Sequence, residues 1–277
     1  MTPVLSIIIP CYNHGLYIKE ALDSIALCTT TSLYEVIIID DASTDAYTIE
    51  ILDALKQDGY HIIHQSNQGL GAARNNGIGL AKGKYILALD SDNRIRPDYI
   101  YESIKVLDSN SEVAVVYGNA EYFGEQKGVW TVGPFNLQRL MLGNYIDACA
   151  VFRKSVWEAV GGYDTRMPVM GAEDWDLWLR MARGAYRFHY IDKVLFDYRV
   201  SAGSMSRTNY AENAAIISTY IEEKYKDYIG KEYIEQALMK KLKENKKLFI
   251  KLILKAFFPG LLFYLVTKKK LANESIL

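Results

Sequence analysis

The segment Asp90-Ser91-Asp92-Asn93 puts two carboxylates two residues apart directly after an apolar run. Past the end of a buried strand, both can face one ligand. A hard cation such as Mg2+ or Mn2+ takes oxygen ligands, often only one or two from protein and the rest from phosphate and water. A cation held there could grip a diphosphate and stabilise the charge that appears as it leaves. The competing reading is a surface turn, which suits Asp, Ser and Asn equally well. Asp40-Asp41 follow a second apolar run. A carboxylate there could accept a hydrogen bond from a base imide or a ribose hydroxyl, while Ser43, Thr44 and Asp45 suit the cap of the next helix. Gln68-Gly69-Leu70-Gly71-Ala72-Ala73-Arg74-Asn75 is a glycine-rich start to a helix, an end that offers amides to phosphate. It is not a dinucleotide fingerprint: Arg74 occupies the third glycine position, and the motif follows the third strand rather than the first. Arg74 could reach a phosphate or tether its helix by an ion pair. Glu173-Asp174 open a helix with an apolar stripe of Trp175, Trp178, Leu179 and Ala182. Acidic groups favour a first helical turn, and one could equally be the general base for an acceptor hydroxyl. His14, His61, His64 and His189 form no ligand pattern, and neither a nucleophile elbow nor a Walker lysine loop is present.

Such residues work only if something brings them together. Over the first 120 residues, apolar β-branched runs at 5–9, 36–39, 61–64, 85–89 and 113–117 alternate with amphipathic stretches at 17–27, 47–57, 71–81 and 97–107. Most runs are too apolar for half-exposed strands and read as central ones covered on both faces. The alternation is that of βαβ units, so the expectation is an α/β fold: a Rossmann-like three-layer α/β/α sandwich with a mostly parallel sheet. Ligands of such sheets bind beyond the carboxyl ends of the strands. Pro10-Cys11-Tyr12-Asn13, Asp40–Asp45 and Asp90–Asn93 should then meet on one rim. Further on, 122–131 reads as a meander turning at Gly124–Gly128, 145–152 as a strand, 154–161 and 173–183 as helices, and 186–191 with 194–198 as a hairpin.

The chain has 277 residues, 50% of them hydrophobic and 23% charged, enough for one large α/β domain. A net charge of -1 supplies no global field for nucleic acid. Cys11, Cys28 and Cys149 fit neither a zinc site nor a disulfide framework and read as buried reduced thiols. The N-terminus lacks a basic region ahead of its short apolar run and reads as a first strand rather than a leader. The expected division is a catalytic domain over 1–210, with a nucleotide-binding half (1–118) and an acceptor half (119–210), then a helical, basic amphipathic region over 211–277. Residues 240–270 interleave lysines with Leu, Ile and Phe, broken by Pro259-Gly260. That pattern suits an anionic membrane surface; the alternative is a helix packed on the domain with its lysines solvated. Lys251, Lys255 and Pro259 argue against a spanning helix.

Taken in order, SIIIPCYN, EVIIIDDASTD, NQGLGAARNNGI, GKYILALDSDN and GGYD…GAEDWDLWLRMARGAYRF resemble glycosyltransferase family 2, over roughly residues 4–207. The resemblance implies a GT-A fold and inverting transfer from a nucleotide diphosphosugar. By position it implies donor binding by Pro10, Tyr12, Asp41, Arg74, Asp90 and Ser91, and a Mn2+ or Mg2+ ion on Asp92, with Asp90 a second ligand. It implies Asp174 as catalytic base, with Glu173 and Trp175 on the acceptor side. Many members carry Arg-x-His-x-x-Ser after the last strand. Here the segment is Arg199-Val200-Ser201-Ala202-Gly203-Ser204, with Ser201 at the histidine position, so metal affinity is expected to be weaker or water to complete the shell.

The resulting expectation is an inverting, metal-dependent glycosyltransferase. It would act with a donor that is most simply a UDP-sugar, on a glycan or lipid-linked acceptor, at the inner face of the plasma membrane in bacterial surface polysaccharide assembly. Two alternatives stand beside it. A nucleotidyltransferase would show Arg and Lys in a glycine-rich loop after the first strand, where this chain has Pro10-Cys11-Tyr12-Asn13-His14-Gly15. A non-catalytic nucleotide-sugar-binding scaffold at a membrane complex would tolerate loss of Asp92 or Asp174, yet both are present.

Overall fold

The structure, a computed structural model, describes residues 2–29, 31–201 and 209–228. The chain alternates β1 (Leu5–Cys11), α1 (Gly15–Ala26), β2 (Tyr34–Asp40), α2 (Ala46–Gln57), β3 (His61–His64), α3 (Leu70–Leu80) and β4 (Tyr85–Ala88). There follow β5 (Arg94–Ile95), α4 (Asp98–Ser109), β6 (Val113–Gly124), β7 (Gly128–Trp130), α5 (Leu137–Leu142) and β8 (Val151–Arg153). The remainder is α6 (Lys154–Ala159), α7 (Glu173–Arg183), β9 (Arg187–Val200) and α8 (Asn209–Tyr225). One compact unit extends through Tyr225.

The sheet runs β3-β2-β1-β4-β8-β6-β9-β5, with β7 paired to β6. Strands β3, β2, β1 and β4 are parallel, and so are β6 and β9; β8 runs antiparallel between β4 and β6. All seven residues of β1 are buried, as a central strand covered on both faces requires. On one face Leu5, Ile7, Ile9 and Cys11 join α1, α2 and α4 in a single core. On the other, Ile8 and Ile39 meet α3 at Gly77, where a Cβ would lie 2.4 Å from Ile8 Cγ2. The three-layer expectation and the first four strands therefore hold. Strand β3 is an edge strand with both histidines exposed.

Two expected elements differ. The stretch 145–152 supplies only β8, because Asn144 Oδ1 accepts the Ile146 amide (3.2 Å) and Asp147 Oδ1 accepts the Cys149 amide (2.9 Å). Such side-chain turns take the backbone out of the ladder. The expected hairpin at 186–198 is one long strand, β9, parallel to β6, with a register shift that passes over Asp192 and Lys193. Asp192 Oδ1 there accepts Tyr190 Oη–H (2.7 Å) and Asn119 Nδ2–H (3.2 Å).

Helix α8 lies against α7. Lys224 bridges Asp164 and Asp176, Tyr220 donates to Asp164 (2.6 Å), and Tyr225 donates to Asp176 (2.8 Å). These donors overcome burial and hold the Asp164 carboxyl well below the usual range. Among the described residues no helix is long and apolar enough to cross a membrane. The basic segment 240–270 lies outside the described residues.

Candidate active site

The strand ends of β1, β2 and β4 open into a cleft of about 350 Å³. Pro10, Tyr12, Asp41, Arg74, Asp90, Ser91, Asp92, Glu173 and Asp174 all line it. Trp175 does not. It is buried in the core, with its indole N–H donated to the Leu140 carbonyl at 2.6 Å, so its place is structural rather than on the acceptor side.

At the β1–β2 end Tyr12 is 46% exposed, open enough for a base to lie against it. Asp40 accepts from the Ser43 amide (3.0 Å) and contacts His64 Nδ1 (3.0 Å), so it shapes the loop from beneath. Asp45 caps α2 by accepting the Thr48 amide at 2.8 Å. Asn13 and Ala42 both have left-handed backbones (φ 57 and 61) in these loops, a cost found where a site constrains the chain. Asp41 accepts from Gln65 Nε2 and from the amides of Gln68 and Gly69, each at 2.8 Å. The amides just ahead of α3 thus already serve Asp41, which is the anion at that helix start.

Arg74 lines the cleft and is tied to an acid. Its buried guanidinium pairs with Asp90 Oδ1 at 2.6 Å and lies 5.4 Å from the Tyr163 ring centroid. Burial opposes its charge, but Asp90 and the neighbouring acids keep it charged. Asn75 fixes Tyr163 in turn, accepting its amide (2.7 Å) and donating to its carbonyl (2.8 Å).

Asp92 is pushed up to about 6 by burial and then by Asp90, with His14 and Arg199 acting the other way. His14 Nδ1 lies 3.1 Å from Ser91 Oγ. Arg199 donates Nε–H to the Asp92 carbonyl (3.0 Å) and its amide to Asn93 Oδ1 (2.9 Å), which fixes the loop. Asp90 and Asp92 both line the cleft and offer the oxygen donors a hard cation takes; burial first, then the Asp90 charge, raises Asp92, and a divalent charge would relieve it. Among the described residues no group of three or more His, Cys, Asp or Glu could hold a metal, so a cation on this pair would draw the rest of its shell from phosphate and water. Ser201 lines the same cleft.

Asp174 begins α7. Its Oδ1 accepts the Trp175 amide (2.8 Å) and its Oδ2 accepts Asn144 Nδ2–H (2.7 Å). Burial pushes the carboxyl up to about 7; Arg74 opposes the rise and Glu173 adds to it. A general base works best with a pKa near the operating pH. Glu173 Oε2 accepts the Gly171 amide at 2.8 Å, which ties Glu173 to the loop ahead of α7.

Asp147, Asn144 and His14 did not emerge from sequence reasoning. Asp147 lines the cleft and is pushed up to about 8 by burial, Asp90 and Asp174. Its one signal was a carboxylate within the apolar stretch ahead of β8.

The family model described as "Glycosyl transferase family 2" matches residues 6–161, and "Glycosyl transferase family group 2" matches 85–271. An uncharacterized glycosyltransferase of Rickettsia bellii is 32% identical, over 70% of this chain and 29% of its own length. Chondroitin synthase of Pasteurella multocida is 28% identical, over 70% of this chain and 20% of its own. The chain spans about a third of the length of the first curated relatives it matches. Among solved structures, residues 1–349 of S. aureus TarS in complex with UDP-GlcNAc superpose with a TM-score of 0.62 at 21% identity, over 74% of this chain and 61% of that one. The mannosyltransferase PcManGT of Pyrobaculum calidifontis, in complex with GDP-Man and Mn2+, gives 0.59 at 17% identity, over 98% and 81%. At these identities the likeness is one of fold, and the fold is GT-A.

Proposed function

The chain belongs to glycosyl transferase family 2, and from that premise we propose that it moves a sugar from a nucleotide diphosphosugar to an acceptor hydroxyl, with inversion. The observation that carries this is one cleft holding the Asp90–Asp92 pair and Asp174, a carboxyl pushed up to about 7 by burial. Tyr12 and Asp41 sit where a base would lie, and a UDP-sugar is the donor that best suits them. Asp90 and Asp92 would hold Mg2+ or Mn2+, which neutralises charge on a departing diphosphate. Arg74 holds Asp90, and Arg199 holds the loop that presents Asp92. Asp174 takes the proton of the acceptor hydroxyl as that oxygen attacks the anomeric carbon. Inversion follows from a single in-line displacement.

The acceptor is proposed to be a glycan or a lipid-linked sugar in bacterial surface polysaccharide assembly, with residues 240–270 on the inner, anionic face of the plasma membrane. The pattern of lysines among large apolar residues supports that placement. A nucleotidyltransferase and a non-catalytic scaffold are disfavoured by the company of glycosyltransferases in which the sequence falls. Replacing Asp174 by Asn keeps shape and removes the base. Turnover should fall by about 10²–10⁴-fold while donor affinity stays within a factor of two or so. Full turnover in Asp174→Asn would remove Asp174 from this role.

A further inference from the structure

Beyond β4 the sheet continues through β8 and β6 to β9. Where β9 reaches the cleft at Tyr198, three aromatic rings stand together. Tyr122 and Tyr198 are register partners in the β6–β9 pair, and Trp130 lies diagonal to Tyr122 across β6–β7, opposite Ala120. Alternation along a strand puts all three on one side of the sheet. The Tyr122 and Trp130 rings are nearly parallel (7°) with centroids 6.0 Å apart. Tyr198 stands edge-on to both, at 6.0 and 5.8 Å. Each ring is partly exposed, and Tyr198 lines the cleft. Asp147 joins this corner to the rest of the site. It lines the same cleft; its charge reaches Tyr122, that of Asp174 reaches it, and its Oδ1 accepts the Cys149 amide.

The order of groups along the rim assigns an occupant. Tyr12 and Asp41 lie at β1 and β2, Asp90–Asp92 after β4, Asp147 ahead of β8, and the rings at β6 and β9. With a nucleoside at the first end and a diphosphate at the second, the reacting sugar lies near Asp174. The acceptor then approaches from the Asp147 side. An aromatic face carries negative charge density, and a pyranose presents a face of weakly positive C–H bonds ringed by hydroxyls. A carboxyl oxygen beside the rings can accept one of those hydroxyl hydrogens.

We propose that Tyr122, Trp130 and Tyr198, with Asp147 at their edge, form the acceptor subsite, in which a pyranose of the acceptor glycan lies against the rings and gives a hydroxyl hydrogen bond to Asp147. The assignment rests on the glycosyltransferase reading and adds to it the place and chemical class of the acceptor. A purely structural cluster would instead brace the β6–β7 pair, as cross-strand aromatic pairs do.

The two are separated by saturation-transfer difference NMR on the full chain. The aromatic protons are irradiated in the presence of UDP, Mg2+ and each of the methyl glycosides of glucose, galactose, N-acetylglucosamine, N-acetylgalactosamine and mannose. At least one glycoside should receive saturation at its axial ring protons. Its affinity should fall about three- to tenfold in Trp130→Ala, the loss expected for one aromatic contact, and recover in Trp130→Phe. Asp147→Asn should weaken it without abolishing the ring contact, which keeps the test open if Trp130→Ala does not fold. No saturation with any of the glycosides, or saturation unchanged in Trp130→Ala and Asp147→Asn, overturns the subsite. Thermal stabilisation by nucleotide diphosphosugars is measured on the same proteins. If it persists while the glycoside signal is absent, the subsite fails and the donor reading stands; if it too is absent, the donor reading fails.

Discussion

Asn144 reaches Asp174 from the segment ahead of β8 and donates Nδ2–H to Oδ2 at 2.7 Å. Together with the Trp175 amide on Oδ1, it fixes the carboxylate plane and favours the charged form against burial. Removing that donor in Asn144→Ala should raise the base's pKa further. The acid limb of the kcat/KM profile, set near 7 by Asp174, should move to higher pH, and kcat at pH 7 should fall by roughly tenfold. An unchanged limb would show that Asn144 does not act on Asp174. Asp90, Asp92 and Asp174 were legible because each ends or begins a periodic segment. Asn144 and Asp147 were not: they lie in an irregular stretch whose distance from α7 is set by tertiary packing. Arg74 was legible as a choice between phosphate and tether, and the structure pairs it with Asp90. Trp175 was read from its neighbours in sequence, but helical spacing turns it into the core.

At the level of elements, α3 carries Arg74 to Asp90 because it packs closely on β1 and β2 through Gly77. A methyl group at Gly77 would meet Ile8 Cγ2 at 2.4 Å with core on every side. Gly77→Ala should therefore destabilise by about 1–3 kcal/mol through overpacking, measurable by urea unfolding, and the helix's own preference for Ala would offset only about 1 kcal/mol of the clash. A neutral or stabilising outcome would mean that α3 sits farther from the sheet. The four parallel strands were legible in the sequence because hydrophobic periodicity is a local property. Strand β9 was misread for the same reason. Asp192 and Lys193 punctuate two apolar runs as a hairpin turn would, yet the bulge opposite Gly118 and Asn119 absorbs them and the strand continues. Which strand pairs with β6 is decided across the sheet, where local pattern carries no information.

The whole molecule gathers Asp90, Asp92, Asp147 and Asp174 around one cleft, and burial leads in pushing three of them to about 6, 8 and 7. Each of the three holds a proton in the folded state that the unfolded chain, titrating near 4, releases. The folded state therefore binds more protons between about pH 4 and pH 8, and stability must fall as pH rises through that window. The metal-free protein should lose several degrees of Tm between pH 5 and pH 8, at about 2–4 °C for each kcal/mol. Asp147→Asn should flatten the slope, and a Tm rising with pH over this range would show that these carboxyls are not raised.

The same crowding of negative charge is what a divalent cation and its diphosphate would relieve, and that is the centre of the account. It is tested most directly by thermal shift of the purified chain against a panel of nucleotide diphosphosugars, with and without Mn2+. A ligand present at 100 times its Kd stabilises by about 2.7 kcal/mol. The account predicts at least one donor that stabilises only with the metal, and loss of that effect in Asp92→Ala. A donor that stabilises Asp92→Ala as much as the wild type, or no stabilisation by any donor with metal present, would contradict it.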